Sequence, residues 1–150
     1  MNGRLEAILI AADAGNDLLS IPSAELEIGK GIIGDRYHIS QGTFSKSSDT
    51  EVTLIEGEEI EAFNLITGLD YESAQFRRNL VTAGVRLNHQ VGQEFSIGNV
   101  LLRGMRLCEP CGYLGKLIGR DVMRHMKNKA GLRAQILRGG TISVNDIIQL

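Results

Sequence analysis

The chain has 150 residues, 43% of them hydrophobic, which suits one globular domain with its own core and excludes a disordered or fibrous chain. No apolar run approaches the roughly 18 residues of a membrane span, and the N-terminal residues carry no signal-peptide pattern, so a cytoplasmic domain away from the membrane is expected. A net charge of −2 argues against a nucleic-acid coat. The charge is nevertheless uneven, with 4 basic and 12 acidic side chains in residues 1–69 but 12 basic and 6 acidic ones in residues 70–150. Most of the basic residues are Arg, which grips phosphate with two parallel bonds.

Eighteen glycines and two prolines predict many tight turns. Arg4 to Ala12 reads as a strand with Leu5, Ala7 and Leu9 on one face. Ala24 to Ile28 reads as a short strand, followed by the glycine-punctuated turn Gly29 to Arg36. Gln41 to Thr50 is polar and reads as a loop. Val52 to Ile55 reads as a buried strand. Glu56 to Thr67 reads as a helix with Ile60, Phe63 and Ile66 inward and Gly68 just past its end. A strand begins near Leu80, and Gly98-Asn99 marks a hairpin within Gln93 to Arg103. Leu114 to Lys127 reads as a helix, and Gly131 to Leu150 as two strands around Gly139-Gly140. Short strands with few helices do not fit a βαβ repeat. The expected fold is mainly β (α+β), a single domain over 1–150 built as a closed or strongly bent β-barrel with a few peripheral helices.

Cys108-Glu109-Pro110-Cys111 is the sharpest chemical signal. It lies between a strand-like and a helix-like run, and a helix N-terminus favours thiolate, the nucleophilic and metal-ligating form. Arg103, Arg106 and Lys116 add positive charge nearby. A lone C-x-x-C has several readings. It suits a thiol redox pair, although the βαβ context is missing. It also suits half of a zinc site completed from His38, His89 and His125, or simply two semi-buried thiols. Two further motifs suit an anion. In Gly34-Asp35-Arg36-Tyr37-His38, the glycine permits close backbone approach, Arg36 and His38 can bind, and Asp35 can orient either. The plainer reading is a surface turn with an internal salt bridge. In Arg77-Arg78-Asn79-Leu80-Val81-Thr82, strand alternation turns one arginine toward a given site and Asn79 away from Arg78, unless a bulge re-aims it. The plainer reading there is a solvated strand entry.

Taken in order, Gly34 to His38, Arg77 to Thr82, and Pro110-Cys111 with Leu114 resemble a MOSC domain, the family named for the C-terminal domain of molybdenum-cofactor sulfurases. Val52 to Glu56, Val91 to Gly98 and Gly131 to Ile142 extend the resemblance over nearly the whole chain, which has the length of the family's short form. The resemblance implies a β-barrel and binding of the molybdenum cofactor, a molybdenum ion held by a pterin dithiolene (molybdopterin). It implies reduction of N-hydroxylated compounds or sulfur transfer onto the cofactor, with an electron donor or a cofactor-accepting protein as partner. Cys111 matches the position of the metal ligand or sulfur-carrying thiol, with Cys108 as second choice. Gly34, Asp35, Arg36, His38, Arg77, Arg78, Asn79 and Thr82 match positions near the pterin phosphate and its polar edges. A small thiol redox module without metal is the competing function.

Overall fold

A computed structural model describes residues 2–13, 15–36, 38, 51–108 and 126–150. The strands are β1 (Gly3–Ile10), β2 (Leu19–Ile21), β3 (Ser23–Glu27), β4 (Gly31–Ile32), β5 (Val52–Glu56), β6 (Leu80–Ala83), β7 (Glu94–Ile97), β8 (Val100–Leu107), β9 (Leu132–Arg138), β10 (Gly140–Ser143) and β11 (Ile147–Gln149). One α-helix, α1 (Gly57–Thr67), is seen among the described residues, with 3-10 turns at Ser73–Phe76 and Leu87–Gln90.

Seven strands close a barrel in the order β1-β11-β7-β8-β9-β5-β6, with β6 returning to β1. Closure removes the exposed sheet edges that invite aggregation. The pairs are antiparallel except β5 with β6. That parallel pair requires a crossover, and α1 supplies it, packing on the outside of both strands. Strands β10, β3 and β4 form a smaller sheet beside the barrel.

Side-chain alternation along the walls divides the apolar residues into two layers. Leu5, Ile8, Val52, Leu54, Leu80, Leu102, Leu132 and Ile136 fill the interior. Leu9, Ile55, Val81, Phe63 and Phe76 fill a second layer between the outer wall and α1.

Several expectations need correction. Leu5, Ala7 and Leu9 do not share a face, because the β1–β6 register shifts between Leu5 and Ala7. That irregularity sends Leu5 and Ile8 inward and leaves Leu9 in the outer layer. Helix α1 buries Ile60 and Phe63 and ends at Gly68, but Ile66 is 63% exposed. The chain closes with three strands rather than two. Asn145 takes a positive φ of 80° and the Asp146 carboxylate accepts from the Ser143 amide, making a turn that separates β10 from β11. The Gly98-Asn99 hairpin is present, with Ile97 paired to Val100. The loop expected at Gln41 to Thr50 and nearly all of the helix expected at Leu114 to Lys127 lie outside the described residues.

Candidate functional site

The turn after β4 begins with Gly34 at φ 92°, a left-handed conformation that disfavours any residue with a Cβ. It carries Asp35 into the protein, where that residue is fully buried. One Asp35 carboxylate oxygen accepts from the Ala11 amide and from Arg36 Nη1, each at 3.0 Å. Asp35 thus orients Arg36, and the salt bridge that a surface turn would carry is inside the protein instead. Arg36 Nη2 then donates to the carbonyl of Arg77 at 3.2 Å. His38 does not join this group. Its Nε2 lies 3.0 Å from Glu27 Oε2, and that hydrogen bond holds the Glu27 carboxyl below its ordinary range.

Arg77 and Arg78 precede β6, so strand alternation does not govern them. Arg77 caps the 3-10 turn at Ser73–Phe76 in a left-handed conformation, φ 61°. This is uncommon for a residue with a side chain, and such conformations gather at functional sites. The turn is fixed at its other end by a capping box between Glu72 and Gln75. Arg77 Nη1 donates to the Asn16 carbonyl at 2.8 Å. Arg78 is only 7% exposed, and its Nε donates to the Ala130 carbonyl at 2.8 Å. Among the described residues it makes no ion pair and no other side-chain hydrogen bond. Both arginines are buried, which excludes a solvated strand entry.

Asn79 is fully buried and ties three strands together. Its Oδ1 accepts from the Thr53 amide and hydroxyl at 3.2 Å, and its Nδ2 donates to the Leu9 carbonyl at 3.1 Å. Thr82 lies elsewhere. Leu80 faces the barrel interior and Val81 the outer layer, so Thr82 again faces inward. The arginines and Asn79 stand on the outer side.

Cys108 follows β8 and is fully buried beside Leu9, Ile55, Val81, Met126 and Ala130. Its amide donates to the Gly131 carbonyl at 2.8 Å. Arg78 and Cys108 therefore dock on adjacent residues, Ala130 and Gly131. Only glycine fits at 131, where φ is 113° and a Cβ would stand 2.0 Å from the Leu54 carbonyl oxygen. Cys111 and His125 lie outside the described residues. No group of three or more His, Cys, Asp or Glu side chains suited to a metal is found among the described residues, so His38 and His89 do not both converge on Cys108.

Hydrogen bonds thus join the motifs at 34–36, 77–79 and 108 into one patch on the outer wall. Reading the sequence missed Arg133, buried on β9 in register with Thr53, and so beside the Asn79 tie. It also missed a pocket of about 520 Å³ lined by Asp17, Leu18, Leu19, Glu72, Ala74, Gln75 and Arg77. The Glu-x-x-Gln spacing at 72–75 was the available signal for the turn that shapes it.

Residues 32–149 match the sequence pattern of the MOSC domain. No curated protein matches the chain. Among solved structures, the YuaD protein from Bacillus subtilis is similar over 99% of this chain and 94% of its own, at 17% identity and a TM-score of 0.83. YiiM from Geobacillus stearothermophilus is similar over 99% of this chain and 75% of its own, at 13% identity and a TM-score of 0.74. YiiM from Escherichia coli is similar over 98% and 69%, at 19% identity and a TM-score of 0.68. At these identities the likeness establishes the fold.

Proposed function

The chain belongs to the MOSC domain family, and on that premise we propose that it binds the molybdenum cofactor on the outer wall of the barrel. The observation that carries this reading is Arg78. A buried guanidinium with one carbonyl partner and no carboxylate among the described residues is a costly arrangement unless another anion meets it. The phosphate of a pterin cofactor is such an anion, and arginine is the side chain best shaped to hold it. The residues present therefore fit the group.

In this reading Arg78 holds the phosphate, and Arg77 and Arg133 add positive charge beside it. Asp35 and Arg36 fix the turn that carries Arg77 and Arg78. Asn79 fixes the strand ends beneath them. Cys111 is the metal ligand or the sulfur-carrying thiol, since a soft metal takes thiolate. Cys108 is fully buried and has a structural role in this reading. When bound, the molybdenum would supply redox or sulfur-accepting chemistry, and the protein would supply ligation, orientation and electrostatics. The pocket beside Arg77 has the volume of a small-molecule site and is the candidate position for a substrate, with N-hydroxylated compounds as the class. Reduction needs an electron donor, and sulfur transfer needs a cofactor-accepting partner.

The test is the molybdenum content of anaerobically purified wild-type protein and Cys111→Ser, from a host that makes the cofactor. Near-stoichiometric metal in the wild type and its loss in the variant are expected. Equal metal in both would overturn the role of Cys111. Neither metal nor pterin in the wild type, even when cofactor is added, would overturn the cofactor reading.

A further inference from the structure

Three charged side chains line the 520 Å³ pocket, Asp17, Glu72 and Arg77. Two of them have duties within the fold. The Glu72 carboxylate accepts from the Gln75 amide in the capping box. Arg77 is buried, and its Nη1 donates to the Asn16 carbonyl at 2.8 Å. Asp17 follows directly on Asn16 and is exposed. Its carboxylate makes no hydrogen bond or ion pair among the described residues.

The balance of charge on the lining is therefore negative. Two carboxylates stand against one guanidinium, and the guanidinium is the group withdrawn from solvent. Around these charges, Leu18, Leu19 and Ala74 supply apolar wall. Small-molecule sites combine an apolar lining with a few polar groups that fix orientation. Here the group left to fix it is an anion, and the ligand group it attracts is a cation.

We propose that this pocket selects a positively charged ligand, and that Asp17 is the residue that selects it. The ligand places a protonated nitrogen at the Asp17 carboxylate and an apolar body on the leucines. The inference rests on the reading above for the pocket as a substrate site. It narrows the N-hydroxylated compounds to those that carry a positive charge. Because Asp17 is exposed, the preference is modest and weakens as salt screens the pair.

The test is titration of the cofactor-free, isotope-labelled protein with two probes, followed by nuclear magnetic resonance. Benzylamine is protonated at neutral pH, and benzyl alcohol is its uncharged match in size. Both should shift the amides of Leu18, Leu19 and Ala74, with benzylamine bound roughly fivefold more tightly at low salt, the size of an exposed ion pair. Asp17→Asn should bring the two probes to equal affinity. Glu61→Gln, which removes an exposed carboxylate from α1, should leave the preference unchanged. Equal affinities in the wild type, a preference that survives Asp17→Asn or is lost in Glu61→Gln, or no shift at the pocket with either probe would overturn the proposal. The titration needs no cofactor, so its failure is distinguishable from failure of the cofactor reading, which the molybdenum analysis decides.

Discussion

A terminal nitrogen of Arg36 donates to the backbone carbonyl of Arg77, 41 residues further along the chain. The bond joins two motifs that lie far apart in sequence. Asp35 anchors its near end, and the left-handed turn at Arg77 presents the carbonyl at its far end. The pair Asp35–Arg36 is almost wholly removed from solvent. Removing one partner of such a pair leaves an uncompensated buried charge.

Asp35→Asn should therefore destabilise the fold by roughly 3–5 kcal/mol. Urea unfolding checks this. A loss below about 1 kcal/mol, the usual value of an exposed pair, would mean that the bridge is dispensable.

Asn79→Ala removes a side chain that accepts from Thr53 and donates to Leu9. Buried backbone groups on two strands then lose their partner, at about 1–3 kcal/mol for each group left unsatisfied. The unfolding midpoint should fall accordingly. Asn79→Asp should also destabilise, because a carboxylate cannot donate to the Leu9 carbonyl.

Burial pushes the carboxyls of Glu51 and Glu56 above their ordinary range, partly offset by the Ile136 and Gly29 amides at Glu51 and the Leu87 amide at Glu56. A carboxyl raised in the folded state contributes stability that is fully present below its unfolded pKa. That contribution is lost as pH rises through the folded value. Relative to the wild type, Glu56→Gln should gain stability as pH rises from about 4 to about 7, since the amide does not ionise. Urea midpoints at several pH values measure the difference. A constant offset between the two proteins would contradict the burial argument.

The two cysteines should behave unequally. Cys108 is fully buried among apolar side chains, so Cys108→Ala should cost on the order of 1–3 kcal/mol of stability. In the proposed reading it should leave cofactor loading intact, whereas Cys111→Ser should abolish it. Equal loss of function from both substitutions would favour a thiol redox pair over a metal ligand.

Much of the barrel was legible because its strands announce themselves locally. Val52 to Glu56 is buried along its length, and Gly98-Asn99 makes the hairpin its residues demand. The register shift in β1 was not legible, because nothing in Arg4 to Ala12 marks which residue will be skipped. Ile66 matched helical spacing, yet among the described residues α1 buries Ile60 and Phe63 and leaves Ile66 63% exposed. For the candidate site, the arginines and Asp35 could be named from sequence, but their roles could not. Those roles depend on carbonyls of Asn16, Arg77 and Ala130, and backbone atoms carry no signature in the side-chain alphabet. Thr82 was grouped with Asn79 by proximity in sequence. Alternation along β6, with Leu80 inward and Val81 outward, turns Thr82 inward and so to the other side of the wall from Asn79.

The most direct test of the central claim is the affinity of Arg78→Gln for the molybdenum cofactor, measured by titration beside the wild type. Loss of a charge-assisted contact to phosphate, worth about 1.5–3 kcal/mol, corresponds to roughly 10- to 100-fold weaker binding. The account predicts that loss, with a cooperative unfolding transition retained. Unchanged affinity in a folded Arg78→Gln protein would contradict it.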